Sequence, residues 1–266
     1  MRKAQSVSAD ILPRPRWPVA ASRFVAFIDI MGFRSLLTDR FSPEQLYAFM
    51  TKMHDEAREA ERIARKLHAN GESVTLTSIT VPPGPVLVRI AQFSDSILVV
   101  TRDDGDLCSL AVQLAATKLF FFFLEHGVPL RGAIARGYVT ADFKRSIFFG
   151  QSIVDAYLLE ERQAWYGIAE HESCQDERLE GVPQIEPGFR SITWPYAVPV
   201  KDPPGTRVEL AALNWPSLFE SSDQMEERLA IWAPSMPDTK LRTYFTNTIQ
   251  FGFDMWAHFE GETSRS

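Results

Sequence analysis

The chain has 266 residues, 45% of them hydrophobic and 23% charged, with 14 Gly and 17 Pro. That balance excludes wholesale disorder, collagen and low-complexity classes, and the length allows one large domain or a domain with a substantial extension. A net charge of −6 argues against a chain that coats nucleic acid, and the two cysteines, Cys108 and Cys174, fit neither a zinc motif nor a disulfide framework.

Residues 1–22 mix Pro13, Pro15 and Pro18 with Arg14, Arg16 and Trp17 and show no periodicity. They read as an arm that docks on a neighbour. Arg2 and Lys3 have no apolar stretch before a cleavage site, and no apolar run approaches the roughly 20 residues of a membrane span. A cytoplasmic location with no membrane partner is the expectation. Arg23–Ile30 is an apolar, β-prone run broken by Met31-Gly32. Ser42, Pro43 and Gln45 form a capping box, and Leu46, Phe49, Met50, Met53, Ala57, Ala60, Ala64 and Leu67 follow at helical spacing until Asn70-Gly71. Val86–Gln92 and Ile97–Thr101 read as a hairpin joined at Phe93–Ser96. An amphipathic helix is expected from Asp106 to His126, then strands Leu130–Val139 and Ser146–Phe149, and a helix opening at Gly150. Beyond Tyr166 the pattern weakens. Trp194-Pro195 and Val208–Leu213 read as strands, and Ser222–Trp232 and Asp238–Phe259 as helices.

The order β-α-β-β-α-β-β-α predicts an α+β fold, a ferredoxin-like βαββαβ core with an antiparallel sheet and helices on one face. A hairpin and a C-terminal helical extension complete it. Domain boundaries follow at 1–22 for the arm, 23–165 for the main domain and 166–266 for an extension packing on or capping it.

Asp29 lies at the end of an apolar strand, and Asp95 lies at the tip of the hairpin Gln92-Phe-Ser-Asp-Ser-Ile97. An isolated carboxylate in such surroundings costs several kcal/mol unless it is paired or binds a cation. The topology brings both to one sheet edge. Two carboxylates sharing a backbone carbonyl can hold Mg²⁺ or Mn²⁺ when substrate phosphates fill the other positions. Gly32 beside them lets the backbone approach phosphate oxygens. Taken singly, each Asp is equally well a turn former.

These residues resemble a family. Phe27-Ile-Asp-Ile-Met-Gly-Phe33, Phe93-Ser-Asp-Ser96, Leu130-Arg-Gly-Ala-Ile-Ala-Arg-Gly137 and Phe149-Gly150 with Ala156 are similar, in order, to the signatures of class III nucleotidyl cyclases. The chain departs from that pattern too. The family's transition-state Asn and Arg fall on Val154 and Leu158, and its purine-reading Lys and Asp fall near Ala91 and Ile147. This describes either a degenerate, non-catalytic relative or a cyclase that reads another base. With Asn247-Thr-Ile249 near the C-terminus, the sequence resembles the bacterial pyrimidine cyclases of the Pycsar anti-phage system throughout.

That resemblance implies a homodimer with active sites at the subunit interface, converting UTP, or less often CTP, into the 3′,5′-cyclic monophosphate and pyrophosphate. The product would act as a second messenger read by a separately encoded effector. The resemblance assigns two Mn²⁺ (or Mg²⁺) per site to Asp29, Asp95 and the Ile30 carbonyl. It sets Phe27, Ile30, Gly32 and Phe33 against the nucleotide, with the Gly32-Phe33 amides on the phosphates. Arg131 is the candidate replacement for the missing cation, and Arg131 and Arg136, at odd spacing on one strand, should face opposite ways. Arg89 and Tyr47 are candidate base contacts, while Asp155 and Glu160 read as solvated helix charge. A cyclase-fold nucleotide-binding module and another two-metal nucleotidyltransferase are the alternative readings.

Overall fold

From Phe24 onward, alternate residues of the first strand, β1 (Ala20–Ile30), belong to one apolar cluster: Phe24, Ala26, Ile28 and Ile30 are buried on one side, while Val25 and Phe27 enter a second cluster on the other. A strand buried on both faces must be central. The computed structural model, which describes residues 16–70, 84–175, 192–231 and 239–263, places it so. The sheet runs β2 (Val88–Phe93), β3 (Ser96–Thr101), β1, β4 (Leu130–Asp142), β6 (Ile168–Glu170), β8 (Arg207–Leu213) and β7 (Thr193–Pro199), with β5 (Ile147–Gly150) pairing β4.

A short helix, α1 (Phe33–Ser35), and a single π turn lead from β1 into α2 (Pro43–Asn70). The capping box is formed in full: the Ser42 N–H donates to Gln45 Oε1 at 2.9 Å and the Gln45 N–H to Ser42 Oγ at 3.3 Å. Its predicted stripe is buried from Leu46 to Ala64 against α3 (Asp106–Glu125). The expected amphipathic character of α3 gives way to burial on nearly every side. It is apolar and long enough to cross a membrane, which corrects the sequence expectation, yet 72% of its apolar window is buried inside the fold, as in a core helix.

Two details of the predicted sheet are corrected. α4 (Gln151–Arg162) lies on the face opposite α2 and α3: its Ile153 packs with Val25, Leu98, Val100 and Val139, and its Tyr157 meets Phe27 edge-on at 5.5 Å. Helices therefore cover both faces. The sheet is mixed, because β6 runs parallel to β4 with Gly132 opposite Ile168. A parallel neighbour cannot be reached through a tight hairpin, and here the chain passes through β5 and α4 before β6 pairs with β4.

Residues after 165 continue this same sheet through β6, β8 and β7. α5 (Ser222–Ala230) and α6 (Thr239–Thr263) pack on the α3 side, where Phe251 meets Trp165, Trp215 and Tyr196. Thr248 ties α6 to the sheet: its hydroxyl accepts from the Tyr166 N–H at 2.8 Å and lies 3.1 Å from the Tyr166 carbonyl. Asn247 adds a bond to the Ala164 carbonyl at 2.7 Å. Of the arm, residues 1–15 and the Gly71 stop lie outside the described residues, while Trp17 packs on the chain's own sheet face, 5.7 Å from Phe143 and 4.7 Å from the Arg89 guanidinium.

Candidate active site

The β1–β3 register sets Asp29 opposite Ser96, one residue beyond the hairpin tip. The Ile30 N–H donates to the Asp95 carbonyl at 2.8 Å, so the end of β1 is stitched to the β2–β3 turn. Ser94 takes φ +56° there, the left-handed conformation that a tight turn requires. Asp95 is exposed and Asp29 half-buried. Among the described residues the Asp29 carboxylate has neither hydrogen bond nor ion pair. Burial pushes its pKa above the ordinary range, Arg131 opposes this, Asp95 reinforces it and Lys201 opposes it more weakly. The two predicted acids thus meet at one sheet end. Sequence pattern and topology were enough to foresee that.

The other groups near Asp29 come from elements far apart in sequence. Arg131 is its partner across the β1–β4 register, on the same face. That guanidinium is only 6% exposed: its Nε donates to Glu160 Oε1 at 2.5 Å, and Nη1 reaches the Gln163 carbonyl at 3.5 Å. Gln163 is held in turn, donating to the Gly132 carbonyl at 2.8 Å and accepting from Trp165 Nε1 at 2.6 Å. Arg131 as a group reaching the reacting phosphate does not fit this placement. Glu160 as solvated charge does not fit either, since it is 3% exposed on the buried side of α4, and burial pushes its pKa up against the pull of Arg131. Arg136 faces the opposite side, as its spacing requires, and pairs with Asp104 at 2.9 Å. Asp155 is half-buried and accepts from Gln151 at 2.7 Å.

Gly32 adopts φ +72°, and a Cβ built there would meet nothing within 4 Å. The turn is therefore left-handed, with open space where a Gly32 side chain would lie. Neither the Gly32 nor the Phe33 N–H donates to any of the described residues. The Phe33 ring packs with the α2–α3 core, the Ile30 side chain is buried there, and Phe27 lies under Tyr157. Arg89 shares the face of Asp29 but sits four residues back along the sheet, in register with Val100 and Val25, about 13 Å away along the strands. Its guanidinium lies 4.7 Å from Trp17 and 5.4 Å from Phe143. Tyr47 is 77% exposed on the outside of α2. The structure brings Asp29, Asp95, Ile30 and Gly32 together and leaves Arg89 and Tyr47 apart from them.

Lys201 is the site residue that sequence reasoning missed. It follows β7, its N–H donates to the Arg162 carbonyl at 2.9 Å, and burial lowers its pKa while Arg131 lowers it further. No signal near Lys201 in sequence could place it beside the end of α4, because β7 reaches that place only by adding to the far side of the sheet.

These donors suit a hard divalent cation: two carboxylates on adjoining strand ends, one without a partner and disfavoured as a lone anion. Among the described residues no three His, Cys, Asp or Glu side chains gather into a metal site. The remaining ligands would have to come from a substrate, as they do for Mg²⁺ and Mn²⁺ bound to phosphates.

No family model matches the chain, and no curated protein does. Among solved structures it is similar to the catalytic core of a rhodopsin-guanylyl cyclase with converted specificity in complex with ATPαS, at a TM-score of 0.46 and 18% identity, over 73% of this chain and 97% of that one.

Proposed function

We propose that this chain is a metal-dependent pyrimidine nucleotide cyclase, converting UTP, or less often CTP, into the 3′,5′-cyclic monophosphate and pyrophosphate. The observation that carries this reading is the convergence of Asp29 and Asp95 at the open Gly32 turn, fastened by the bond from the Ile30 N–H to the Asp95 carbonyl. Asp29, Asp95 and the Ile30 carbonyl would hold two Mn²⁺ or Mg²⁺ ions. When bound, such ions lower the pKa of an attacking hydroxyl and neutralise a leaving pyrophosphate. The chain's own part is positional. The unengaged Gly32 and Phe33 amides orient phosphate oxygens, and the carboxylates fix where the ribose 3′-oxygen and the α-phosphorus meet in line.

Apolar residues at Ala91 and Ile147, where the family pattern places its purine readers, support a pyrimidine over a purine. A homodimer is supported by the apolar side chains left uncovered on α4 and β5: Val154 is 47% exposed, Leu158 53% and Phe149 60%. In that assembly each site lies at the subunit interface, and Arg89, distant from Asp29 within one chain but on the α4 side of the sheet, becomes a base contact across it, whereas Tyr47 on the outside of α2 faces away from that seam. A product of this kind fits a cytoplasmic second messenger in anti-phage defence, read by a separate effector.

Val154 and Leu158 favour a second reading, a nucleotide sensor without turnover, because neither side chain can donate to ribose or phosphate. Purified protein incubated with ATP, GTP, CTP and UTP in turn, with Mn²⁺, separates the readings. The cyclase yields one cyclic pyrimidine mononucleotide, and the sensor binds without product. A linear or oligomeric product would point to a nucleotidyltransferase, and no binding at all would end the proposal.

A further inference from the structure

Arg131 has two carboxylates within its reach and pairs with the one that is not at the cation site. Asp29 faces it across the β1–β4 register, yet the guanidinium points to Glu160 of α4 at 2.5 Å, with further contacts to the Gln163 carbonyl at 3.5 Å and to the Tyr244 ring at 5.8 Å. Gln163 is itself fixed by the Gly132 and Leu159 carbonyls and by Trp165. Asp29 is left with no ion pair among the described residues. We propose that Glu160 is a positioning residue that competes with Asp29 for Arg131 and so keeps Asp29 free to bind a divalent cation. This inference rests on the reading of Asp29 as a cation ligand.

The physical argument is one of competition. A cross-strand Arg–Asp pair places Cβ atoms about 5 Å apart, close enough for a direct, charge-assisted ion pair. Such a pair would have to break before Asp29 could bind a cation, and its strength would be lost from the affinity. Glu160 removes the competitor. It is almost fully buried, so little water screens its hold on the guanidinium, and the Gln163 contact fixes the direction in which Arg131 points. Arg131 remains near Asp29 as a fixed positive charge without becoming its partner.

Mn²⁺ binding, read by the loss of the free-ion electron paramagnetic resonance signal and by calorimetry, tests this without relying on turnover. Glu160→Gln should weaken Mn²⁺ binding about tenfold, the equivalent of one modest charge-assisted pair, because Arg131 turns to Asp29. Glu160→Asp should recover part of the loss. The double variant Arg131→Gln/Glu160→Gln removes competitor and clamp together and should bind Mn²⁺ at least as tightly as wild type. It exchanges a buried ion pair for two neutral amides, a change folds tolerate better than breaking the pair, so it remains informative if Glu160→Gln alone does not fold. Circular dichroism without metal checks folding for each variant. Undiminished Mn²⁺ affinity in folded Glu160→Gln, or reduced affinity in the folded double variant, overturns the inference. Wild-type protein that binds no Mn²⁺, with or without UTP, instead overturns the reading of Asp29 on which it rests.

Discussion

The two faces of the sheet are built to different ends, and each holds a partly buried or buried acid that shows how. On the α2–α3 face, β6 places Glu170 beside Ile134, where among the described residues the carboxyl accepts only from Gln113, at 2.7 Å. Burial pushes it up to about 7, so it is neutral in mild acid and gives up its proton only around neutrality. On the α4 face, Asp29 lies among Arg131, Asp95 and Lys201 and opens to solvent at the strand end. One face neutralises its acid and closes. The other surrounds its acid with charge and stays open. On the proposed reading, a stable fold can also hold a reactive site because the two demands fall on opposite sides of one sheet.

The sharpest way to break this comparison is at the reactive face. Asp29→Asn or Asp95→Asn should lower cyclic-nucleotide formation about a thousandfold or more with UTP and Mn²⁺, measured chromatographically, while thermal midpoints without metal stay near wild type. Large unfolding in both would make these acids structural. The closed face should respond in the opposite way: Phe123→Ala, emptying a fully buried site against Phe49, should cost about 3–5 kcal/mol in urea denaturation.

Glu170 gives the pH test. The folded chain holds this proton more tightly than the unfolded one, so the stability it contributes is complete below its ordinary 4.5 and lost as pH rises towards about 7. Glu170→Gln should flatten the stability profile across that interval, which the acid accounts for at on the order of 3 kcal/mol; an unchanged profile would mean the carboxyl is ionised in the fold.

Leu158→Asp probes the uncovered apolar strip. Subunit association by sedimentation should weaken about tenfold or more, with folding stability within about 0.5 kcal/mol. The smallest effect is again at Asp29. Its pKa is also raised, so ionisation there lowers stability as pH climbs past the carboxylate range. Asp29→Asn should thus give a slight gain in metal-free thermal midpoint at neutral pH that disappears on acidification.

How much of this was legible in the sequence depended on distance along the chain. The capping box at Ser42 and Gln45, the hairpin at Phe93–Ser96 and the opposed directions of Arg131 and Arg136 follow from local chemistry and strand parity, and the structure has all three. The meeting of Asp29 with Asp95 followed from topology. The face on which α4 packs, the parallel return of β6, the Arg131–Glu160 pair and the arrival of Lys201 depend on contacts between distant segments. Periodicity reports which side of an element is apolar, and it is silent about the partner that covers it. Arg131 shows the cost: the strand motif placed it correctly beside Asp29, but only the fold shows its guanidinium turned to α4.

The bonds from Thr248 to both backbone groups of Tyr166 make α6 part of the scaffold that leads from α4 into β6. During synthesis, that scaffold stays open until α6 emerges from the ribosome. Polypeptides cut short before Phe251 would leave Trp165 and Trp215 without that ring as cover. The helix that completes this core is thus translated last, and the strands that carry Asp29 and Asp95 are translated first.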